Sequence, residues 1–516
     1  PVQIPFVPPL SAARIAKGLR QKRSGRGRES GPLATHISCP NYERRSIKTG
    51  IVHIGVGGFH RSHQAYYMHQ LLEDPLNANW GICGIGLREG DRKIASVLKQ
   101  QNGLYTLITQ HPDGKETSEI IGSIIDFIFA FESPVLALDK MVHSDTKIVS
   151  LTITEGGYNF DTNTGNFNFD TPDIQHDLLH PNTPKTVFGF LTTALRKRRD
   201  NGLAPFTILS CDNIQHNGEV TRKMLLSFAQ KQDPSLCKWI EKEVCFPNSM
   251  VDRITPVTPD ASIAFLKKEY RLKDDWPIVC EPFIQWVIED DFSNGRPPLE
   301  KLGVHFVADV TPYEKMKIRL LNSGHSVLGI PGALHGHQTI NACMEDPLFA
   351  SFMRAFMDKE VSPLLDKVDG IDLTAYKNSL EERFANPNIK DGVSRICSES
   401  SAKLPKFLLP TLVENLESGG SIKYASFVLA AWCYYSDKGV DLNNSRLEII
   451  DHQKEELHQS AKQTQQDPLS FLRLTSIFGD LIENKRFISL YTTYIKNLYN
   501  QPNIHKLLST ISQDTF

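Results

Sequence analysis

From residue 50 the chain alternates short β-branched apolar runs with stretches of helical spacing. IVHIGVG (51–57), WGICGIGL (80–87), KIVSLTI (147–153) and FTILSC (206–211) read as strands. Residues 62–72 and VFGFLTTALRKRRD (187–200) carry apolar positions at helical intervals. Such alternation predicts an α/β fold, a mostly parallel sheet with helices on both faces. The loop after the first strand is then the expected ligand site. Near residue 300 the pattern changes, and helical spacing dominates over 313–330, 347–365, 406–419, 422–435 and 467–498. A Ser-Asn-Gly-Arg-Pro-Pro turn at 293–298 precedes the change. The pattern therefore divides into a dinucleotide-binding domain over 50–305 and a mainly α-helical substrate domain over 306–516. Residues 1–49 read as a basic, flexible extension.

Composition narrows the picture. At 516 residues, with 40% hydrophobic and 22% charged residues, the chain has ample core for two domains. A formal net charge of -2 gives no reason to expect nucleic acid or an anionic membrane as partner. No apolar run approaches the roughly 18 residues that cross a bilayer, and the most apolar stretch, 424–435, reads as a buried helix. The nine cysteines form no C-x-x-C pair, which suits reduced thiols and a cytoplasmic protein. Seven basic residues, from Arg14 to Arg28, precede the first acid, Glu29, so organellar targeting stays open. His176 and His180 form an H-x-x-x-H pair without the zincin Glu or a nearby third ligand, so no metal site is expected.

The candidate chemistry begins at Gly55-Val56-Gly57-Gly58-Phe59-His60-Arg61. A strand, a G-x-G turn and a helix make a dinucleotide-binding arrangement. Gly55 permits the tight turn and Gly57 lets backbone approach the pyrophosphate at the helix N-terminus. His60 stands where the usual third glycine would be. Past the second strand, Glu89 or Asp91 can accept from a ribose 2′-hydroxyl and repel a 2′-phosphate, whereas Arg88 would bind one. The balance favours NAD over NADP as cofactor.

A second candidate site lies in TPYEKMKIRLLNSGHSVLGIPG (311–332). Thr311 and Pro312 form a helix start. At about 100° per residue, Glu314, Lys317, Asn322 and His325 fall within an arc of about 140°. Gly324 beside them leaves room for a substrate or another backbone. Alcohol oxidation needs a base for the hydroxyl proton, and an amine serves when burial and nearby positive charge lower its pKa. An amide can donate to the developing oxyanion. Lys317 and Asn322 fit those parts, His325 can hold a neighbouring hydroxyl, and Glu314 can pass the proton to solvent.

Four stretches resemble the polyol-specific long-chain dehydrogenases: GVGGFHRSHQ (55–64), SCDN (210–213), FPNSMVDRITP (246–256) and the Lys317, Asn322, His325 set. Ser394-Arg395 with Lys403-Leu404-Pro405-Lys406-Phe407 adds a fifth, so the likeness runs from about residue 50 to 410. Residues 1–49 have no counterpart in it. The resemblance implies a Rossmann-type doubly wound N-terminal domain, a mainly helical C-terminal domain, and no zinc. It makes Lys317 the catalytic base, and Asn213 and Asn322 the amides on the reacting oxygen. His325, Asp252, Arg395 and Lys403 grip the other hydroxyls, and Glu314 gates proton exchange. Asp91 becomes the cofactor-selecting acid, and Thr152 in TITEGGY lines the nicotinamide pocket.

The implied reaction is NAD-dependent oxidation of mannitol to fructose and its reverse. Arabinitol, fructuronate or tagaturonate, and mannitol 1-phosphate are the alternative substrates on this framework. A non-catalytic NAD-binding protein would be expected to lose the Lys, Asn or His, and all are present. The expected assembly is a monomer or weak homo-oligomer.

Overall fold

The computed structural model describes residues 37–161 and 164–513. It divides into two compact units, the second formed by residues 111–115 and 311 onward.

In the first unit, β1 (Thr49–Ile54), β2 (Gly81–Gly86), β3 (Tyr105–Gln110), β4 (Glu116–Ile121), β5 (Ile124–Phe129), β6 (Ile148–Leu151) and β7 (Thr207–Ser210) come first. β8 (Ser249–Asp252), β9 (Ile278–Cys280), β10 (Gln285–Glu289) and β11 (His305–Val307) follow. The main sheet runs β5-β2-β1-β6-β7, parallel throughout. Strands β1, β2, β6 and β7 are buried on both faces, which is why they read as near-continuous apolar runs. Val52, Ile54, Val149 and Leu151 pack to one side with Phe188, Leu191 and Phe228. Ile51, Ile82 and Ile148 face the other side with Tyr67, Leu71, Trp286 and Ile288. Two three-stranded sheets, β11-β10-β8 and β4-β3-β9, complete the unit.

The helix expected over 62–72 is two helices, α1 (Gly58–Ser62) and α2 (Gln64–Leu72). The break is at His63 (φ -113°, ψ -85°). Its cause is local: Arg253 Nη1 donates to the Ser62 carbonyl at 2.6 Å, and the Ser62 and Thr255 hydroxyls meet at 2.7 Å. α3 (Val187–Asp200) has the predicted bounds, started by the Thr186 hydroxyl accepting from Gly189 N–H. Residues 37–48 correct the expected extension. Ile37 is buried with Leu104 and Ile120, and Arg44 donates to the carbonyls of Gly122 and Ile124. The rest of that extension, 1–36, lies outside the described residues.

The second unit is helical. α4 (Thr311–Lys317) runs through one π turn (Ile318–Asn322) into α5 (Ser323–His335). α6 (Pro347–Phe356) likewise passes through a π turn (Met357–Val361). α7 (Val393–Cys397) packs on α5, where Gly329 makes the approach possible: a Cβ there would stand 2.7 Å from Ile396 Cγ2. α8 (Lys423–Lys438) is buried from Tyr424 to Ser436, as its composition predicts. The helix expected over 467–498 is interrupted. Gly479 (φ +52°) ends a short piece, and the long helix begins only at Lys485. α9 (Ile504–Gln513) closes the described chain.

Candidate active site

The loops at the carboxyl ends of β1 and β6 lie at the point where the strand order reverses, since β1 continues to β2 on one side and β6 lies on the other. Gly55 turns the first loop with φ +95°, and a Cβ there would stand 2.1 Å from the Thr152 carbonyl oxygen. Only glycine fits. Gly57 begins α1, and a Cβ on it would meet nothing closer than 3.8 Å, so its backbone stays open to a ligand. Thr152 joins the two loops, its hydroxyl donating to Gly55 O at 2.7 Å while His53 Nε2 lies 2.9 Å from the same hydroxyl.

His60 and Arg61 are buried. His60 stacks on His53 at 3.4 Å between centroids. Burial above all holds His60 well below its ordinary pKa and His53 down to about 3, so both rings are neutral. Arg61 Nη1 donates to the Trp276 carbonyl at 2.6 Å, and Tyr105 donates to Arg61 O at 2.5 Å. These two side chains support the glycine loop from inside. Phe59 is half-buried and stacks on His63 at 5.0 Å.

At the end of β2, Glu89 is held by Arg92 through two bonds of 2.6 and 2.9 Å. Asp91 accepts from Arg88 N–H at 2.9 Å through one oxygen. The two acids, open alternatives by charge alone, thus differ in their hydrogen bonds, and Asp91 is the one the resemblance assigns to the cofactor. At the end of β7, Asp212 accepts from the N–H groups of Ile153 (3.0 Å) and Thr154 (2.8 Å) and from Tyr158 Oη (2.7 Å). It ties the 152–158 loop down, with Thr154 at φ 61°. Neighbouring Asn213 is exposed. Asp252 is buried at the end of β8, and Arg253 reaches Glu281 O and Ser62 O. The V-D-R-I-T-P stretch therefore buttresses α1.

In the second unit, Glu314 and Lys317 are 5% and 7% exposed on α4. The π turn follows at once, with Ser323 N–H bonded to Ile318 O. In a regular helix, residues five apart diverge by about 140°. A turn closed from i to i+5 brings the fifth residue back nearly over the first, so Lys317 and Asn322 share a face more closely than spacing alone predicts. Asn322 Oδ1 is buried with no hydrogen-bond partner among the described residues. His325 stacks against Phe384 at 4.2 Å, and its Nε2 lies 3.9 Å from Asp391 Oδ2. The space expected beside Gly324 is filled, since a Cβ there would press on the Phe384 ring at 3.3 Å.

Arg395 binds Asp391 through two bonds of 2.7 and 2.5 Å, with its side chain 53% exposed. Lys403 Nζ donates to the carbonyls of Arg395 (3.3 Å) and Ile396 (3.2 Å) at the end of α7. Burial first, then Arg395, lowers its pKa. Asp391 and Phe384 carry no motif, and only geometry brings them to His325.

The two units match two halves of one family. The mannitol dehydrogenase Rossmann domain matches residues 49–301, and the mannitol dehydrogenase C-terminal domain matches 309–499. The chain belongs to the mannitol dehydrogenase family. It is similar to mannitol 2-dehydrogenase of Aspergillus fumigatus, 45% identical over 469 residues that cover 90% of this chain and 93% of the relative. The Pyricularia oryzae mannitol 2-dehydrogenase is 44% identical over the same shares of each chain. Among solved structures, the Pseudomonas fluorescens mannitol 2-dehydrogenase ternary complex with NAD and D-mannitol is 45% identical, with TM-score 0.82. The match covers 92% of this chain and 96% of that one. A substrate-free D-sorbitol dehydrogenase is 36% identical with TM-score 0.85, over 92% and 98% of the two chains. All nine cysteines are free thiols, and no described helix is long and apolar enough to cross a membrane.

Proposed function

We propose that this chain oxidises mannitol at C2 to fructose and catalyses the reverse reduction, with NAD as hydride acceptor and Lys317 as base. The carrying observation is the buried Lys317 one wide turn before Asn322, in a chain 45% identical to mannitol 2-dehydrogenases over 90% of its length. The chain is an NAD-dependent polyol dehydrogenase.

The residues fit the cofactor. Gly57 leaves its backbone open, α1 starts beside it, and Asp91 has a carboxylate oxygen beyond the one on Arg88. Gly55, Gly57, Gly58 and Phe59 would hold the pyrophosphate by backbone, with His60 and Arg61 as supports. Asp91 would accept from the ribose, and Thr152 would line the nicotinamide side. NAD, when bound, supplies the hydride acceptor.

Lys317 Nζ takes the proton of the reacting hydroxyl as hydride leaves the carbon. Asn322 donates to the oxygen as it gains charge and then carbonyl character. Asn213 has the same proposed role. Glu314, three residues before Lys317, hands the proton on to solvent. His325, steadied by Phe384 and Asp391, is assigned to a neighbouring hydroxyl, with Asp252, Arg395 and Lys403 for the rest. The hydride chemistry asks for no metal, so a chelator should leave the initial rate unchanged.

The test is NADH or NADPH appearance with mannitol, sorbitol, arabinitol and mannitol 1-phosphate. Mannitol with NAD should give the highest kcat/KM. Failure of every polyol to reduce either cofactor would sink the reading.

A further inference from the structure

The C-terminal end of α5 carries His335, and His337 follows after Gly336, whose φ is +102°. Asp346 precedes α6 as its N-cap, with Oδ1 accepting from Leu348 N–H at 3.0 Å. That bond leaves Oδ2 facing the histidines. His505 reaches the same oxygen from the first turn of α9, at 2.5 Å. His337 Nε2 lies 3.7 Å from it, buried and without a hydrogen-bond partner among the described residues. One donor atom each of His335, His337 and Asp346 lie within 4.8 Å of one another. The His335 ring stacks on His505 at 4.2 Å. All four residues belong to the second unit.

An Asp346–His505 pair explains two of these residues. It does not explain why two more imidazoles converge on the same carboxylate. His335, His337 and Asp346, with His505 on the same carboxylate as a fourth candidate ligand, are a nitrogen-rich set suited to zinc and its first-row neighbours, and unsuited to magnesium or calcium. Zinc–nitrogen distances of about 2.0–2.1 Å put tetrahedral ligand atoms roughly 3.4 Å apart.

We propose that His335, His337, Asp346 and His505 form a structural binding site for one divalent transition-metal ion of the zinc class, which fastens the last helix to the end of α5. The ion would tie three elements that no covalent link joins, namely the end of α5, the start of α6 and α9. It stands apart from the proposed base: Lys317 is eighteen residues earlier on a nearly continuous helix, about 27 Å along the axis. The ion therefore acts on stability and leaves the hydride chemistry alone. The other metal-like group, Glu399, Asp451 and His452, is half exposed, and Asp451 already accepts from Ser401 and Gln453.

The experiment uses the full chain, stripped with a chelator and dialysed. Zinc chloride is titrated by calorimetry, cobalt chloride is followed by visible absorption, and magnesium chloride is the control. One zinc per chain should bind, with a rise in Tm, and cobalt should give the intense bands of a four-coordinate site. Magnesium should do neither. His337→Ala and, as a milder change, His337→Gln should each weaken zinc binding at least about tenfold and lose the cobalt bands, with mannitol oxidation at 25 °C retained. Absence of saturable zinc binding by the wild type would overturn the proposal. So would zinc binding of wild-type strength in both His337 variants.

Discussion

Asp91 and Glu89 stand two residues apart, and charge alone makes them equal candidates to read the ribose. Their hydrogen bonds separate them, because Glu89 is spent on Arg92 while Asp91 keeps an oxygen beyond the one on Arg88 N–H. Removing the Asp91 charge beside Arg88 should admit a 2′-phosphate. Asp91→Asn is expected to raise the NADP-to-NAD ratio of kcat/KM at least about tenfold, some 1.4 kcal/mol of discrimination. Glu89→Gln should leave the ratio where it was. Steady-state kinetics with both cofactors decides, and an unchanged ratio in Asp91→Asn would remove that residue from the cofactor site. Other residue roles had no signal in the sequence. Asp212 sits inside the S-C-D-N stretch, yet its task of holding Ile153, Thr154 and Tyr158 depends on a partner loop nearly sixty residues away. Asp391 belongs to no motif. The place of His60 in the glycine loop does not tell that its ring turns inward onto His53.

At the scale of elements, the strands of the parallel sheet were legible because burial on both faces makes them apolar throughout. The antiparallel β3–β4 hairpin falls outside the strand–helix alternation, and Asp113-Gly114 marks its turn only locally. The π turns were invisible for a different reason. A periodicity argument assumes one repeat, and one extra residue per turn leaves no compositional trace. Yet that turn is what brings Lys317 and Asn322 onto one face. The second π turn contains Glu360, fully buried, which accepts from the N–H groups of Tyr424 and Ala425 and from Ser421 Oγ. It caps α8 from another element. Burial pushes its pKa up from 4.5 to about 7, against the pull of those donors. The folded state thus binds this proton more tightly than the unfolded state does. The associated stability is full below about pH 4.5 and is lost as pH rises through about 7, by about 3 kcal/mol in all. Urea unfolding at pH 5 and pH 7.5 tests this. Wild type should lose stability relative to Glu360→Gln between the two, and a pH-independent difference would contradict the assignment.

Over the whole molecule, the division into a sheet domain and a helical domain follows from the change of periodicity near residue 300, and the structure divides between Val310 and Thr311. The family covers both parts, from residue 49 to 499. The His335, His337, Asp346 and His505 cluster leaves no motif, because its residues come from the end of α5, the start of α6 and α9, spread over 171 positions of sequence. Close spacing is what motif reading detects, and a site closed by tertiary packing has none. We propose that the buried Lys317 is the base of an NAD-linked polyol oxidation. Its most direct measurement pairs the initial rate of NADH formation from mannitol with NADH binding by fluorescence, in wild type and Lys317→Ala. The variant should lose about 10²- to 10⁴-fold in turnover while binding NADH as tightly as wild type. Near-normal turnover by Lys317→Ala would contradict the account.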